Sequence, residues 1–190
     1  FMDNVESYNG SAWSEENDLV TGIAAGACDG SATAGLIAGG EATTGLIATT
    51  QLWNGTSWTT TNNMQTACRL VGSTTSGINT AVLSMGGLPP GTNDKTEEWN
   101  GTSWTEKNDL NTGRYGGGGA GVTTASIYAG GYTTTNVANT ESWNGTSWSE
   151  VNDLNTARRG MGSVGVTTDA LVYGGCLLYT SDAADDLTRV

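Results

Sequence analysis

Hydrophobic residues fall in short runs along the chain, separated by turns rich in Gly, Asn and Thr. The segment 125–131, Ala-Ser-Ile-Tyr-Ala-Gly-Gly, is typical, because a brief apolar run bounded by turn residues is the pattern of a buried strand. Runs of Thr, as at 133–135, suit the exposed faces of strands rather than helices. The pattern predicts an all-β protein.

A pair of aromatic residues flanks an Asn-Gly turn at four places. Residues Trp99 to Trp104 read Trp-Asn-Gly-Thr-Ser-Trp, and the pattern recurs at 53–58, at 143–148 and, in a worn form, at 8–13. Asn-Gly tolerates the positive φ angles of a tight hairpin. With either a two-residue turn or a four-residue loop, both aromatic residues fall on one face of the hairpin. We expect that face to be buried.

The second aromatic residue of each hairpin marks a repeat of 44 to 46 residues, at Trp13, Trp58, Trp104 and Trp148. A second marker, Gly-Gly, ends an apolar run once in each unit, at 39–40, 86–87, 130–131 and 174–175. Units of this length with four strand-like segments are typical of propellers and solenoids, in which each unit buries its face against its neighbours.

These segments resemble the kelch repeat, in which an apolar strand ends in Gly-Gly, a second strand carries a Tyr before a turn and a third carries a Trp. The resemblance covers residues 5 to 175, and it implies a β-propeller with four antiparallel strands per blade. Kelch units often carry a basic residue after the third strand. Arg114 and Arg158 match it here, whereas Cys68 and Ile23 stand in the other two units.

The resemblance divides residues 1–175 into three complete blades, roughly 34–75, 81–121 and 125–165, with partial blades at both ends. The alternative is a closed four-bladed ring made by joining the two partial blades. From Cys176 onward the period stops, and residues 176–190 resemble a translated sequencing adapter rather than native protein. We therefore interpret the chain as a truncated metagenomic fragment of a larger propeller, and expect unpaired strand edges at its ends.

Charge and composition argue against several functions. The net charge is −12, from 7 Lys and Arg against 19 Asp and Glu, so nucleic acid is not an expected partner. No window is apolar enough for a membrane span. The chain has no His, which removes the commonest general base and transition-metal ligand. We expect no catalytic residues, metal or cofactor. The alternative is the propeller domain of a larger secreted carbohydrate-active enzyme or oxidase with its catalytic residues elsewhere.

The expected function is a binding or structural module, displayed on a phage virion or bacterial surface, that binds protein or glycan. The Asn-Gly and Val-Thr-Thr turns should lie at one end of the strands, and the loops after Gly-Gly at the other. These loops differ between units, as binding loops on a repeated scaffold do; the alternative is that they are merely unconstrained. The candidate ligand-binding residues lie in them: Leu46, Pro89, Asn93, Asp94, Tyr132 and Asn136.

Overall fold

The computed structural model describes residues 1–89 and 93–177, and every regular element in these two ranges is a β-strand. The strands are short, with most between two and five residues long. They are β1 (Glu6–Tyr8), β2 (Trp13–Glu15), β3 (Ala27–Ser31), β4 (Ala34–Ala38), β5 (Glu41–Ala42), β6 (Gly45–Leu46), β7 (Thr50–Trp53), β8 (Trp58–Thr61), β9 (Gly72–Ser73), β10 (Val82–Met85), β11 (Thr96–Trp99), β12 (Trp104–Glu106), β13 (Gly118–Val122), β14 (Ala125–Tyr132), β15 (Asn136–Trp143), β16 (Trp148–Glu150), β17 (Arg159–Val166) and β18 (Asp169–Cys176).

Most strands belong to three antiparallel sheets of four strands each. Sheet 1 has the order β3-β4-β7-β8, sheet 2 the order β9-β10-β11-β12, and sheet 3 the order β13-β14-β15-β16. Two-stranded sheets flank them: the N-terminal half-sheet, β1 and β2, and the C-terminal half-sheet, β17 and β18. The prediction of three four-stranded units is confirmed. The alternative of a closed four-sheet ring is wrong for the described residues, because the two half-sheets are not paired with each other.

The Gly-rich strand of each unit comes first in its sheet, not last. In sheet 3, β13 pairs with the following strand β14 across the Val-Thr-Thr turn, with Gly118 opposite Ala129 and Val122 opposite Ala125. Sheets 1 and 2 pair in the same way. The predicted limits 34–75, 81–121 and 125–165 are therefore wrong by one strand. The physical reason is that a short turn brings consecutive antiparallel strands together directly.

The Asn-Gly hairpins have four-residue loops, and Asn holds each loop through its side chain. Trp99 pairs with Trp104, and their ring centroids lie 5.6 Å apart. The Oδ1 of Asn100 accepts hydrogen bonds from two backbone N–H groups of the loop, both at 2.9 Å. Gly101 has a φ of 92°, which residues with a side chain rarely adopt. The same bonds recur in the other three hairpins.

Neighbouring sheets pack face to face through the second aromatic residue of each hairpin. Trp104 lies in a buried cluster with side chains of sheet 1, and its Nε1 donates to Oγ1 of Thr50 in that sheet at 2.8 Å. Trp148 donates in the same way to Thr96 of sheet 2 at 2.9 Å. The predicted burial is confirmed for these two tryptophans, each 5% exposed, but is wrong for Trp13, which is 66% exposed.

The first strands of successive sheets contact one another, β3 with β9, β9 with β13 and β13 with β17. Just before these strands, backbone hydrogen bonds connect the units in series: Leu70 N–H to Ala25 O, Gly116 N–H to Leu70 O, and Gly160 N–H to Gly116 O, at 2.7 to 2.8 Å. All four residues have positive φ angles, including the non-glycine residues Ala25 and Leu70. The repeated conformation shows that each unit adopts one backbone path at the same place, and it is strained only at Ala25 and Leu70.

The two ends of the sheets carry the turns that the sequence predicts. Trp143 Nε1 donates to Thr123 O at 2.9 Å, so the Asn-Gly loop lies beside the Val-Thr-Thr turn. At the opposite end, Leu154 N–H donates to Ala138 O, which joins an Asn-Asp turn to the segment after Gly-Gly. Strand β18 extends to Cys176, one residue into the predicted adapter segment. The rest of that predicted segment, from residue 178 on, lies outside the described residues.

Candidate functional site

A cavity of about 330 Å³ lies at the end of the sheets that carries the loops after Gly-Gly. Sheet 2, sheet 3 and the C-terminal half-sheet all contribute residues to it. Most lie in the first strands or in the segments just before them, whereas Leu88 follows β10 and Cys176 ends β18. The lining residues are Arg69, Leu70, Leu88, Tyr115, Gly116, Arg159, Gly160 and Cys176. The cavity therefore forms at the backbone connection between units, where Gly116 and Gly160 leave room because they carry no side chain.

One wall is formed by Tyr115 and Arg159, which pack against the neighbouring ring of Tyr132. Backbone hydrogen bonds in both directions join Tyr115 to Tyr132, and their ring centroids lie 5.2 Å apart. The guanidinium carbon of Arg159 lies 4.2 Å from the centroid of the Tyr132 ring and 6.0 Å from that of Tyr115. These contacts hold a planar cation against an aromatic surface. No ion pair between described residues includes Arg159.

A second arginine, Arg69, lines the other side of the cavity and is paired with Glu41. Both side chains remain about a third exposed. Glu41 belongs to the small hairpin β5–β6, in which it pairs with Leu46. The loop after the first Gly-Gly thus reaches the cavity through a carboxylate, and Arg69 has part of its charge balanced while Arg159 does not.

Arg114 is a contrasting arginine whose role is structural. It is fully buried, its Nη1 donates to the carboxylate of Glu141, and its guanidinium carbon lies 4.7 Å from the Tyr128 ring centroid. Burial raises the pKa of the Tyr128 phenol to about 12. Burial and the nearby Glu97 raise the pKa of the Cys68 thiol to about 12 as well. These buried groups stay in one protonation state near neutral pH and do not offer reactive atoms to solvent.

The residues predicted to bind a ligand lie at different distances from the cavity. Tyr132 stacks beside the cavity, and Asn136 donates from Nδ2 to the carbonyl of the lining residue Cys176 at 2.9 Å. Pro89 directly follows the lining residue Leu88, and Leu46 lies on the hairpin that carries Glu41. These residues stay predictions as ligand contacts.

Asn93 and Asp94 support the loop from within. Asn93 is 7% exposed, and its Nδ2 donates to Gly86 O while its Oδ1 accepts from Lys95 N–H. The backbone carbonyl of Asp94 accepts from Leu110 N–H at 2.8 Å. Asn93 therefore holds the loop after Gly86-Gly87 together, and Asp94 ties it to the Asn-Asp turn.

Sequence reasoning did not select Arg159 or Tyr115 as site residues. One signal was available, because Arg158-Arg159 is the only pair of adjacent basic residues in a chain with a net charge of −12. Tyr115 carries no such signal, since its approach to Tyr132 depends on how the Gly-rich strand pairs with β14.

Two further cavities have less to offer a ligand. One lies at the Val-Thr-Thr end and includes Asp29, whose carboxylate already accepts hydrogen bonds from Ser76 and Gly77. The other is a shallow polar depression at Lys107 and Thr146. Within residues 1–89 and 93–177, no group of three His, Cys, Asp or Glu side chains is arranged to hold a metal ion. The described part of the chain contains no helix that could cross a membrane.

No protein-family model matches this chain, and no curated protein matches it. Among solved structures, the chain is similar to one described as "Structure of YjhT", with a TM-score of 0.81 and 13% sequence identity. The similarity covers 94% of this chain and 70% of that one. At this identity the comparison shows a shared fold, an all-β arrangement of small antiparallel sheets.

Proposed function

We propose that this chain is a non-catalytic binding module that takes an acidic group of a protein or glycan ligand into the cavity at Arg159. The observation that carries the proposal is the position of Arg159, stacked on Tyr132 and Tyr115 at the cavity without a carboxylate partner among the described residues.

The chemistry of the wall favours a ligand that is both anionic and partly apolar. A guanidinium group presents a planar set of donors that matches a carboxylate in a bidentate manner. Phenol rings offer a flat apolar surface with a polar edge, which suits a sugar ring or a peptide side chain. Because the protein as a whole carries a charge of −12, the attraction for an acidic group is confined to this cavity.

The architecture that we propose is a kelch-type β-propeller, to which further blades of a longer chain would add. The registered Trp and Gly-Gly markers, the three four-stranded sheets and the backbone connection near their first strands support it. In propellers, loops at one end of the blades commonly vary while the sheets stay constant. Display on a virion or cell surface accords with the Gly- and Thr-rich, weakly charged composition.

A binding titration with defined probes tests the ligand class. The probes are an oligogalacturonide as an acidic glycan, a Glu-rich hexapeptide as an acidic peptide, and maltohexaose as a neutral glycan. We expect at least one acidic probe to bind and the neutral one not to bind. Arg159→Ala should weaken binding about tenfold or more, because it removes the charge-assisted hydrogen bonds. Arg159→Lys should recover only part of the affinity, since it keeps the charge but not the planar group.

Lys107→Ala is the matched control, because it removes one positive charge from an exposed ion pair with Glu98, away from the cavity. It should leave binding unchanged. The proposal fails if neither acidic probe binds, or if Arg159→Ala and Lys107→Ala have the same effect on affinity.

A further inference from the structure

We propose that the C-terminal half-sheet of one molecule pairs with the N-terminal half-sheet of a second copy, so that β17, β18, β1 and β2 complete a four-stranded sheet. Sheets 1 to 3 all have the order Gly-rich strand, Gly-Gly strand and two aromatic-hairpin strands. The C-terminal half-sheet contains the first two of these, and the N-terminal half-sheet contains the last two. Among the described residues, no further strand pairs with either half-sheet, and in the completed sheet each half-sheet is the partner of the other.

Opposite charges on the two half-sheets favour a second copy of the chain as the partner at this junction. In sheet 3, Arg114 forms a buried ion pair with Glu141, two residues before the first Trp of the hairpin. Arg158 is the equivalent of Arg114 in the next unit. The backbone carbonyl of Arg114 accepts a hydrogen bond from Gly87 N–H, and the carbonyl of Arg158 accepts the corresponding bond from Gly131 N–H. Among the described residues, the Nε of Arg158 is buried without a hydrogen-bond partner.

Glu6 is the equivalent of Glu141, two residues before the first aromatic residue of its own hairpin, and it is exposed. In the completed sheet, Glu6 of the second copy would meet the guanidinium group of Arg158, as Glu141 meets Nη1 of Arg114. The same carboxylate would face the backbone of Asn155 and Thr156, as that of Glu141 accepts from Asn111 N–H and Thr112 N–H. No ion pair among the described residues includes Arg158, so this new ion pair would stabilise the junction.

The packing between sheets gives a second, independent match. Trp104 and Trp148 donate to the hydroxyl groups of Thr50 and Thr96 in the preceding sheet. The next threonine in this series is Thr140. Its backbone carbonyl accepts a hydrogen bond from Val151 N–H, just as the carbonyl of Thr96 accepts one from Lys107 N–H. The side chain that would reach Thr140 is Trp13 of the second copy.

Trp13 is 66% exposed in the single chain. The exposed aromatic residue at one end and the hydroxyl group at the other are thus complementary halves of an interface that already occurs twice within the molecule.

The strand register follows from sheet 3, where Ser126 pairs with Trp143 and Tyr128 with Glu141. Transferring this register places Ala170 opposite Tyr8 of the second copy and Val172 opposite Glu6. Because the two contacting surfaces are different, each pair of molecules leaves one half-sheet of each kind open, and growth can continue beyond two copies.

A charge exchange tests this pairing in the full chain. Sedimentation of the unaltered protein should show a mass that rises with concentration. Glu6→Lys and Arg158→Glu should each weaken self-association about 30-fold or more, because each places two like charges at the junction. The variant that carries both changes should associate again, since the two exchanged side chains would again bring opposite charges together across the junction. An equimolar mixture of the two single variants should associate too.

Trp13→Ala provides a second measurement that does not depend on charge, and it should also weaken self-association. Ile78→Ala is its matched control, because Ile78 is a large exposed residue, 50% accessible, that lies outside both half-sheets. A protein that stays monomeric at every concentration overturns the proposal, whether its half-sheets remain open or pair within one molecule. Single charge variants that associate normally, or a doubly changed variant that does not recover, also overturn it. Loss of binding at Arg159 with normal self-association would leave this proposal intact, so the two proposals fail separately.

Discussion

The interior sheets and the two half-sheets carry the same sequence features in very different surroundings. Trp104 and Trp148 are each 5% exposed, while Trp13, at the same place in its hairpin, is 66% exposed. Arg114 is buried in an ion pair, whereas the equivalent Arg158 has a buried Nε without a partner in the described part of the chain. The difference shows that the side chains of one unit are buried and paired by strands and sheets outside their own hairpin.

We therefore expect the same substitution to lower the free energy of unfolding by different amounts in the interior sheets and in the half-sheets. The apolar clusters lie between sheets 1 and 2 and between sheets 2 and 3. At the half-sheets, large side chains such as Leu171 and Tyr173 remain exposed. Stability therefore resides at the contacts between sheets, as expected for a repeat protein whose units stabilise their neighbours.

The largest difference is expected for the tryptophans. Trp104→Ala should lower the free energy of unfolding by about 3 to 5 kcal/mol, because it leaves a cavity between sheets 1 and 2. Trp13→Ala should change it by less than about 0.5 kcal/mol in the monomer, since the side chain is mostly in solvent. Urea unfolding of dilute protein measures both. Equal losses would show that the second aromatic residue acts within its hairpin and not between sheets.

The arginines give the next comparison. Arg114→Met should destabilise the protein by about 3 kcal/mol, because it leaves the Glu141 carboxylate buried without its partner. Arg158→Met should cost little in the monomer, because it removes a buried nitrogen that has no hydrogen-bond partner among the described residues. Thermal unfolding of the two variants, at a concentration without self-association, makes the comparison. A greater loss for Arg158→Met would contradict it.

Alkaline pH should destabilise the interior through the Cys68 thiol. The Cys68 thiol has a pKa of about 12 in the folded protein but ionises near its ordinary value of 9 when unfolded. Its contribution to stability is therefore complete below pH 9 and is lost as the pH rises from 9 towards 12, by about 1 kcal/mol over the first unit.

Cys68→Ala should flatten the fall in stability between pH 9 and 10. Val82→Ala, which changes a buried residue of the same cluster that does not titrate, serves as the control and should leave the slope unchanged. Tyr128, which faces Arg114 and Glu141, adds a similar loss above pH 10. An unchanged slope in Cys68→Ala would show that the thiol ionises as readily in the folded protein as in the unfolded chain.

The smallest predicted effect is a gain. Val5 occupies the position that Thr50 and Thr96 have in the next two units. Its backbone carbonyl accepts a hydrogen bond from Glu16 N–H, and the carbonyl of Thr96 accepts the corresponding bond from Lys107 N–H. The Nε1 of Trp58 in the next sheet is buried without a hydrogen-bond partner among the described residues. Val5→Thr should supply an acceptor and raise the free energy of unfolding by about 0.5 to 1.5 kcal/mol.

Val5→Ala is the comparison for Val5→Thr, because it also removes apolar methyl surface but adds no hydroxyl group. It should not stabilise the protein. Equal effects of the two variants on the urea midpoint would exclude a hydrogen bond to Trp58.

The sequence predicted the repeating features of the fold and missed what depends on pairing between segments. Asn100 and Gly101 specify their hairpin locally, so the loop and its aromatic pair could be predicted. The place of the Gly-rich strand could not be read from its composition, because Gly118 to Val122 can pair with a strand on either side. Its actual partner, β14, determines the sheet limits.

The residues predicted to bind a ligand lie at the same end of the sheets as the cavity, but only some of them are near it. Tyr132 was selected because the segment after Gly-Gly differs between units, although in the structure it is the last residue of β14. Arg159 and Tyr115 come from two other segments, and they meet Tyr132 only because successive units are joined beside Gly116 and Gly160. Asn93 was selected for its loop, whereas its side chain is turned inward to bond Gly86.

The most direct test of the account is hydrogen exchange at the indole N–H groups of Trp104 and Trp13, measured in one sample at increasing protein concentration. Trp104 should be protected at every concentration, because its Nε1 is buried and bonded to Thr50. Trp13 should exchange rapidly in dilute protein and become protected as copies associate. Equal exchange rates for the two groups in dilute protein would contradict the claim that a neighbouring sheet, and not the hairpin itself, buries the second aromatic residue.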